Sequence, residues 1–307
     1  MKTDLYLKKK NGAEVHIEDI LSLSYYKDVY SPYSRLTLTA VRSKIDFPDD
    51  CIAVRFCVGQ KEIHCGIVDR YQKYKENNID KIIVNSRGYT SLLTENQLPP
   101  GMYTDMSINR LFNEHISFGN ITHEDNDESS YIFVKRGTPV WDGIANLTYK
   151  LKGSYPYIRG CNTVMMSMPN RPKELTLQDS EILKIGKEIV TNKMASNFHM
   201  ENLSGEYGEY DCTVNEALER GIVRHRYFEL DRRFLSSPDK AGEYRAALAT
   251  QGCERKIFTY YGYHGEDLND LLTYGEMEQE RIKAIKVIGR NKVVTTELKV
   301  YNDRFSQ

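Results

Sequence analysis

The sequence lacks the features that would draw it to nucleic acid or into a membrane. Its 42 Lys and Arg residues nearly balance 43 Asp and Glu residues, so the formal net charge is -1 over 307 residues. That balance gives no overall attraction for nucleic acid or an anionic membrane. No run of about 18 apolar residues occurs, and the N-terminus lacks the apolar stretch of a signal peptide. We therefore expect a soluble protein made in a cytoplasm, without a membrane anchor.

Recognisable reaction machinery is also missing. The chain has no G-x-S-x-G elbow, no phosphate-binding G-x-x-x-x-G-K-[ST] loop, no G-x-G-x-x-G turn and no H-E-x-x-H helix. The six cysteines form no C-x-x-C pair and have no histidines at ligand spacing, so we expect reduced, mostly buried thiols. They are Cys51, Cys57, Cys65, Cys161, Cys212 and Cys253. The sequence thus predicts no catalytic residue, no cofactor and no metal site.

One acidic run qualifies that expectation. His123 begins the segment His123-Glu-Asp-Asn-Asp-Glu128, in which Asp125 and Asp127 could supply oxygens to a divalent cation. The run lacks the glycine and the distal glutamate of a calcium loop, which favours a solvated acidic turn.

Tyrosine and period-two alternation dominate what is present. The chain has 22 tyrosines but one tryptophan, a bias that suits strands and protein interfaces. Alternation at Leu21–Tyr25, Leu36–Ala40 and Ile52–Val58, separated by turn signals, predicts antiparallel strands. We interpret residues 1–92 as a first small β-barrel or sandwich.

Helical signals follow, and strands then return. Apolar residues from Ile108 to Ile116, with Asp105 or Ser107 as N-cap, predict one helix; Thr138 as N-cap and Pro139 at N1 predict a second that ends at Gly153. Residues 93–174 therefore form a predicted α+β domain. Residues 175–277 are interpreted as a second β-barrel with one helix that has Ser237 as N-cap. Residues 278–307 form a basic C-terminal strand or tail segment. The class is mainly β with an α+β insert, two small antiparallel barrels packing on it.

Charge is unevenly distributed along this arrangement. The segment Glu201–Glu219 has six acidic residues and no Lys or Arg, whereas Arg281–Gln307 has seven basic residues and two acidic ones. Opposite patches on one chain can pair across copies in a head-to-tail ring, or remain two solvated faces. The candidate interface residues are Glu206, Glu209, Asp211, Arg281, Lys283 and Lys286. The basic stretch lacks interleaved stacking aromatics, so no specific nucleic-acid binding is expected.

Three stretches of the sequence resemble one family. They are Lys81–Leu93 with the helix after it; Val140-Trp-Asp-Gly-Ile-Ala-Asn-Leu147 through to Thr163-Val-Met-Met-Ser-Met-Pro169; and Arg224-His-Arg-Tyr-Phe228 with the helix Pro238–Gln251. In order and length they are similar to phage tail baseplate hub proteins of the late-control D group, which serve contractile tails and related injection systems.

The resemblance implies a mechanical role. Hubs of this family are trimers in which each subunit contributes two similar barrels, so that three chains meet a six-fold tail tube and a three-fold spike. The implied partners are a second and third copy, the tail tube or tube-initiator protein, the central spike protein and the tape-measure protein. The implied location is the tail baseplate of a virion or particle assembled in the bacterial cytoplasm.

Two other functions remain open from the residues alone. A tail-associated cell-wall hydrolase would need the acidic run at Asp125 and Asp127 to act as a site. A receptor-binding module would need exposed aromatic platforms, but Trp141 lies on a helix that we expect to face the core.

Overall fold

The computed structural model describes residues 3–42, 47–290, 293–301 and 304–305. The strands of the first β region are β1 (Thr3–Lys8), β2 (Glu14–Ile17), β3 (Ile20–Asp28), β4 (Arg35–Val41), β5 (Ala53–Val58), β6 (Lys61–Glu76) and β7 (Ile79–Gly88). Those of the middle region are β8 (Gly101–Met106), β9 (Thr122–His123), β10 (Ser130–Val134), β11 (Tyr157–Arg159) and β12 (Thr163–Met165).

The second β region carries the remaining strands. They are β13 (Glu174–Thr176), β14 (Ile182–Ile189), β15 (Asn197–Met200), β16 (Cys212–Thr213), β17 (His225–Phe228), β18 (Glu254–Tyr261), β19 (Leu271–Tyr274), β20 (Met277–Arg290) and β21 (Val293–Val300). The helices of the whole chain are α1 (Leu92–Glu95), α2 (Ile108–His115), α3 (Val140–Lys152), α4 (Asn215–Glu219) and α5 (Asp239–Thr250).

Strands hold 45% of the chain and helices 16%, which confirms the mainly β class. One large sheet runs in the order β14-β18-β21-β20-β3-β4-β7-β6-β5-β1-β2, so strands from the two ends of the chain share it. The join is antiparallel pairing of β20 with β3, from Ala284 opposite Asp28 to Arg290 opposite Ser22. Since this order has two ends, β14 and β2, the described strands form an open sheet, and no closed barrel is found among them.

The two β regions repeat one strand order. In the first, β3, β4, β6 and β7 lie in the order β3-β4-β7-β6; in the second, β14, β18, β20 and β21 lie in the order β14-β18-β21-β20. Every neighbouring pair within both sets is antiparallel. The last strand of each of these two orders also pairs, through its first residues, with one more strand. Strand β6 pairs in this way with β5, and β20 pairs with β19. Each region therefore supplies a four-stranded module of the same topology.

The middle region has its own apolar core. Helices α2 and α3 pack with β8, β10, β11 and β12 around buried residues that include Leu111, Trp141 and Ile144. Trp141 is buried, as its helix position predicts, and its indole Nε1 donates to Tyr155 Oη at 3.3 Å. The predicted boundaries of the middle domain, like those of the barrels and the C-terminal segment, stay predictions.

The caps of the helices differ in part from the sequence expectation. Ser107, one of two expected N-caps of α2, accepts the backbone N–H of Arg110 at 3.1 Å. Helix α3 begins one residue later than predicted, because Pro139 has extended backbone and is itself the N-cap. Helix α5 begins at Asp239, with Pro238 rather than Ser237 at the N-cap.

A second small sheet lies within the insertion between β14 and β18. Its order is β16-β15-β17, with β15 antiparallel to β16 and parallel to β17, and α5 packs on it. Thr213 belongs to β16, and α4 follows it with Val214 at the N-cap. In the described residues no helix is both long and apolar enough to span a bilayer.

Candidate assembly interface

Strand β14 forms one free end of the large sheet. It pairs with β18 from Ile182 opposite Tyr260 to Ile189 opposite Glu254, and its other edge has no strand partner in the described part of the chain. Ile185 lies opposite Phe258, so both side chains are on the same face, but Phe258 is buried and Ile185 is 49% exposed. The core face of the sheet is therefore uncovered at this edge.

The exposed apolar side chains continue along the strand. Leu183 and Ile189 are also exposed, so three large aliphatic side chains lie on one eight-residue edge strand. Lys184 and Lys187 give the strand a basic character, and Lys187 Nζ lies 3.3 Å from Glu254 Oε2. Free backbone groups beside exposed aliphatic residues are typical of an edge that pairs with another chain.

A matching free edge lies on the far half of β6. Strand β5 pairs with the first part of β6, from Val58 opposite Lys61 to Ala53 opposite Ile67. Strand β7 pairs with the other side of β6, from Gly66 to Glu76. Beyond about Val68, β6 thus has a partner on one side only among the described residues. In the second module the equivalent half of β20 carries β3 on that side. The position beside the second half of β6 is therefore open, whereas the equivalent position beside β20 is filled by β3.

A buried ion pair fixes the two modules and the middle region to one another. Lys27 on β3 is buried, and its Nζ donates to Asp267 Oδ1 at 2.6 Å and to the carbonyl oxygen of Gly160 at 2.7 Å. The other carboxylate oxygen of Asp267 accepts the backbone N–H of Gly160 at 2.7 Å. Residues 27, 160 and 267 come from the first module, the middle region and the loop before β19, so one cluster joins all three.

A second ion pair supports the first. Arg159 donates to Asp270 Oδ1 at 2.7 Å and to the carbonyl oxygen of Leu268 at 2.6 Å. Asp270 also accepts the backbone N–H groups of Asp267 at 2.7 Å and of Lys173 at 2.9 Å. The carboxylate of Asp270 therefore shapes the loop that presents Asp267 to Lys27.

The electrostatics of this junction follow from burial and charge. Burial alone would raise the pKa of the Asp267 carboxyl, but the Lys27 ammonium and the N–H groups of Gly160 and Leu268 hold that pKa below its ordinary value. Burial raises the pKa of the neighbouring Glu266 carboxyl, against the opposing effect of its hydrogen bond from Tyr260. Two adjacent carboxyl groups thus have opposite pKa shifts because Asp267 is hydrogen-bonded to the Lys27 ammonium, whereas burial dominates at Glu266.

The acidic candidate residues lie together on one exposed loop. Glu206, Glu209 and Asp211 follow β15 in the segment that leads to β16. Glu209 Oε2 accepts from Asn202 Nδ2 at 3.0 Å, and Asp211 Oδ2 lies 2.9 Å from His199 Nδ1.

The basic candidate residues lie elsewhere, on β20. Arg281 donates to the carbonyl oxygen of Asn269 at 2.9 Å, Lys283 is only 3% exposed, and Lys286 is half-buried opposite Glu297 of β21. This stretch is the centre of the large sheet rather than a tail. Of the remaining charged residues of the stretch, Lys292 and Asp303 lie outside the described residues. An interface between the acidic and basic sets stays a prediction.

The acidic run is held by a neighbouring helix. Asn109 on α2 donates through Nδ2 to Asp125 Oδ1 at 2.7 Å and to Asp127 Oδ1 at 2.8 Å. Glu124 accepts the backbone N–H groups of Met166 and Ser167, both at 2.9 Å. These contacts favour a turn stabilised by side-chain hydrogen bonds.

Sequence reasoning missed a buried histidine in the first module. His64 Nδ1 lies 2.8 Å from Ser34 Oγ and its Nε2 lies 2.8 Å from Ser86 Oγ, which donates to the Ile67 carbonyl oxygen. Ser86 must then accept from Nε2–H, and Nδ1 accepts from Ser34. Burial lowers the pKa of His64 from 6.5 to about 3, so the ring is a neutral link between strands.

One group of side chains has the composition of a metal site. Ligand atoms of Asp4, His16 and Glu18 lie within 4.8 Å of one another. His16 Nε2 is 2.8 Å from Asp4 Oδ1, whereas the opposite ring nitrogen faces Glu18 Oε1 at 3.8 Å. Two carboxylates on opposite sides of one ring form two polar pairs rather than one coordination sphere.

Comparison with known proteins places the fold. No protein-family model matches the chain, and no curated protein sequence matches it. Among solved structures it is similar to the 43 kDa tail protein of prophage MuSo2 from Shewanella oneidensis, with a TM-score of 0.72, 14% identity and 98% of each chain covered. It is equally similar to the tail protein from Neisseria meningitidis MC58, with a TM-score of 0.73, 11% identity, and 99% of this chain and 98% of that one covered.

Another solved structure shares the fold over part of its length. A chain of the Francisella PdpA-VgrG complex matches with a TM-score of 0.58 and 11% identity, covering 100% of this chain and 53% of that one. The chain therefore has the fold of phage tail proteins and of related secretion-system components, as the resemblance of its sequence implied.

Proposed function

We propose that the protein is a structural hub of a phage tail or phage-tail-like particle, in which three copies form a ring between a six-fold tail tube and a three-fold central spike. The observation that carries the proposal is the repeated four-stranded module within one chain whose whole length has the tail-protein fold. Three copies with two modules each present six similar modules, so a three-fold object can meet a six-fold one.

The way the modules join inside the chain indicates how copies would join. Within one chain, β20 of the second module pairs with β3, the first strand of the first module. The same rule applied between copies places β14, the first strand of a second module, beside β6 of a neighbouring first module. Every join around the ring is then of one kind, and the free edges of β14 and β6 are both paired.

The chemistry of the two edges supports this pairing. Ile185 and its aliphatic neighbours need cover on the core face, and Tyr71 of β6 packs against the main core on its side of the sheet. Both strands carry mixed charge, with Lys184, Lys187 and Glu188 on β14 and Asp69, Lys75 and Glu76 on β6. Cross-strand pairs of opposite sign can therefore select one register.

The proposed partners follow from the same geometry. The six modules would meet the tail tube or a tube-initiator protein, and the opposite side would meet the central spike. A structural neighbour drawn from the PdpA-VgrG complex supports the spike contact. The α+β region would line part of the central channel, where a tape-measure protein passes. We propose no catalytic role, and we place the protein in the tail baseplate of a particle assembled in the bacterial cytoplasm.

The mass of the purified protein tests the assembly. Light scattering at several concentrations is expected to give three times the mass of one chain for the protein alone, and that mass plus the mass of the bound partners when cognate tube and spike proteins are added. The mixture also detects a ring that forms only on its partners. A stable monomer that also fails to join tube or spike proteins would overturn the proposal.

A further inference from the structure

Three polar side chains stand in a row on the small sheet, away from the proposed ring edges. His199 Nδ1 lies 2.9 Å from Asp211 Oδ2, and His199 Nε2 lies 2.9 Å from His225 Nδ1. The parallel pairing of β15 with β17 sets Asn197 opposite His225 and His199 opposite Tyr227. Both imidazoles therefore lie on one face of the sheet, on neighbouring strands.

The carboxylate determines which ring nitrogen of His199 carries hydrogen. Asp211 can only accept, so Nδ1 of His199 donates to it. The lone pair on Nε2 of His199 then points toward His225. When both rings are neutral, the Nδ1–H of His225 donates a hydrogen bond to this lone pair. A carboxylate that fixes a histidine tautomer in this way is the usual outer partner of a histidine metal ligand.

We propose that His199 Nε2 and His225 Nδ1 bind a divalent first-row transition metal ion, such as Zn²⁺, and that Asp211 positions the His199 ring. On binding, the His225 proton passes from Nδ1 through solvent to Nε2, so that both facing nitrogens offer lone pairs and no net proton is released. At Zn–N distances of about 2.0–2.1 Å, tetrahedral ligands lie about 3.3 Å apart. The two nitrogens need to separate by about 0.4 Å from their present 2.9 Å, and each ring must turn by about 35° in its plane, because the rings now face each other head-on with centroids 5.2 Å apart.

The surroundings hold the rings and leave the ion accessible. His199 stacks on Tyr227 with ring centroids 4.6 Å apart, and the His199 and His225 rings are nearly parallel, at 3°. His225 is exposed, so water can fill the remaining coordination positions. The adjoining segment from Glu201 to Glu219 contains six acidic residues and no Lys or Arg, which favours a cation at this surface.

Zinc titration of the full chain by isothermal calorimetry tests the site. We expect one Zn²⁺ per chain, and we expect H225A to abolish this binding, because one of the two protein ligands is lost. D211N should weaken binding by about 10–100-fold, the range found for outer partners of metal ligands.

Copper supplies a second readout, which counts the coordinating nitrogens directly. Electron paramagnetic resonance of bound Cu²⁺ should show two coordinating nitrogens in the unchanged protein and in D211N, but at most one in H225A. The matched control is H16N, which removes a histidine that faces two carboxylates elsewhere in the chain and should leave both signals intact.

Circular dichroism checks that each variant folds, and the exposure of His225 makes H225A a mild change. Absence of Zn²⁺ binding, retention of it in H225A, or its loss in H16N would each overturn the site. Unchanged affinity in D211N would overturn the role of Asp211. The inference does not depend on ring assembly, since all three residues belong to one chain.

Discussion

Lys27 carries a charge at a position where the alternation of β3 places a side chain inside the molecule. Leu23, Tyr25 and Lys27 are all buried, two residues apart along one strand. The sequence alone shows a lysine in phase with core residues, and that signal predicts a buried acidic partner. It does not identify Asp267, which lies 240 residues away and reaches Lys27 only through the pairing of β20 with β3.

Replacing Lys27 by methionine is expected to lower the free energy of unfolding by about 3–5 kcal/mol, because the buried Asp267 carboxylate then lacks its cation. Urea denaturation followed by circular dichroism measures the loss. The double variant K27M/D267N removes both charges and should be less destabilised than the sum of the two single variants. A loss in K27M below about 1 kcal/mol, the range of an exposed pair, would contradict the structural role of this ion pair.

His64 makes stability depend on pH in a window set by its pKa. Burial lowers that pKa from 6.5 in an unfolded chain to about 3, so between these values the unfolded chain binds a proton that the folded chain does not. The contribution of His64 to stability is therefore complete above pH 6.5 and is lost progressively as pH falls toward 3.

The variant H64Q, whose amide can still bond to Ser34 and Ser86 without titrating, should lose less stability on acidification. The measurement is the free energy of unfolding of both proteins at several pH values between 7 and 4. Carboxyl groups contribute equally to the two curves, so their difference isolates His64. Curves that remain parallel through this range would show that the histidine is not held neutral.

At the scale of elements, local pattern predicted several strands and all three longer helices, but not how the strands meet. Period-two alternation located β3 and β4, since each of these strands has one buried face, and it also located β5, although five of its six residues are buried. Cap positions shifted by a residue because proline, rather than the preceding Thr138 or Ser237, takes the N-cap. Pattern is a local property, whereas strand order depends on pairing between distant segments.

The repeated module shows this limit most clearly. The two four-stranded sets have the same order, yet their residues show no similarity from which a duplication could be argued. Burial explains part of the difference: the first strand of one module, β3, is covered by β20 and carries Tyr25 in the core, whereas the first strand of the other, β14, has Ile185 half exposed. The two modules share a topology because their strands pair in the same order. Their side chains differ because neighbouring strands bury different parts of each module.

The free edge of β14 gives a prediction at this scale. Ile185→Lys should prevent ring assembly but leave the fold of one chain intact, because the side chain is half exposed in that chain and becomes covered only by a neighbour. Sedimentation velocity of the protein mixed with its tube and spike proteins measures the loss of assembly.

The matched control is Leu235→Lys, which introduces the same charge at a similarly exposed aliphatic residue outside both strand edges. It should assemble as the unchanged protein does. Normal assembly of I185K, or equal loss in both variants, would show that β14 is not the joining edge.

At the scale of the whole molecule, rigidity and repetition serve one proposed purpose. The Lys27–Asp267 and Arg159–Asp270 pairs join both modules to the middle region, so that each chain behaves as one shaped unit. Sequence could predict the mainly β class and, through the family resemblance, the two-module plan. It could not supply the continuous sheet, since the β20–β3 join is set by contacts that no local pattern reports.

Electron cryo-microscopy of the assembled protein tests the central claim most directly, because it shows both the number of copies and the edge at which they meet. The account predicts a three-fold ring of six similar four-stranded modules, with β14 of each copy beside the far half of β6 of its neighbour. A two-fold particle in which β14 pairs with β14, or a ring joined through other surfaces, would contradict it.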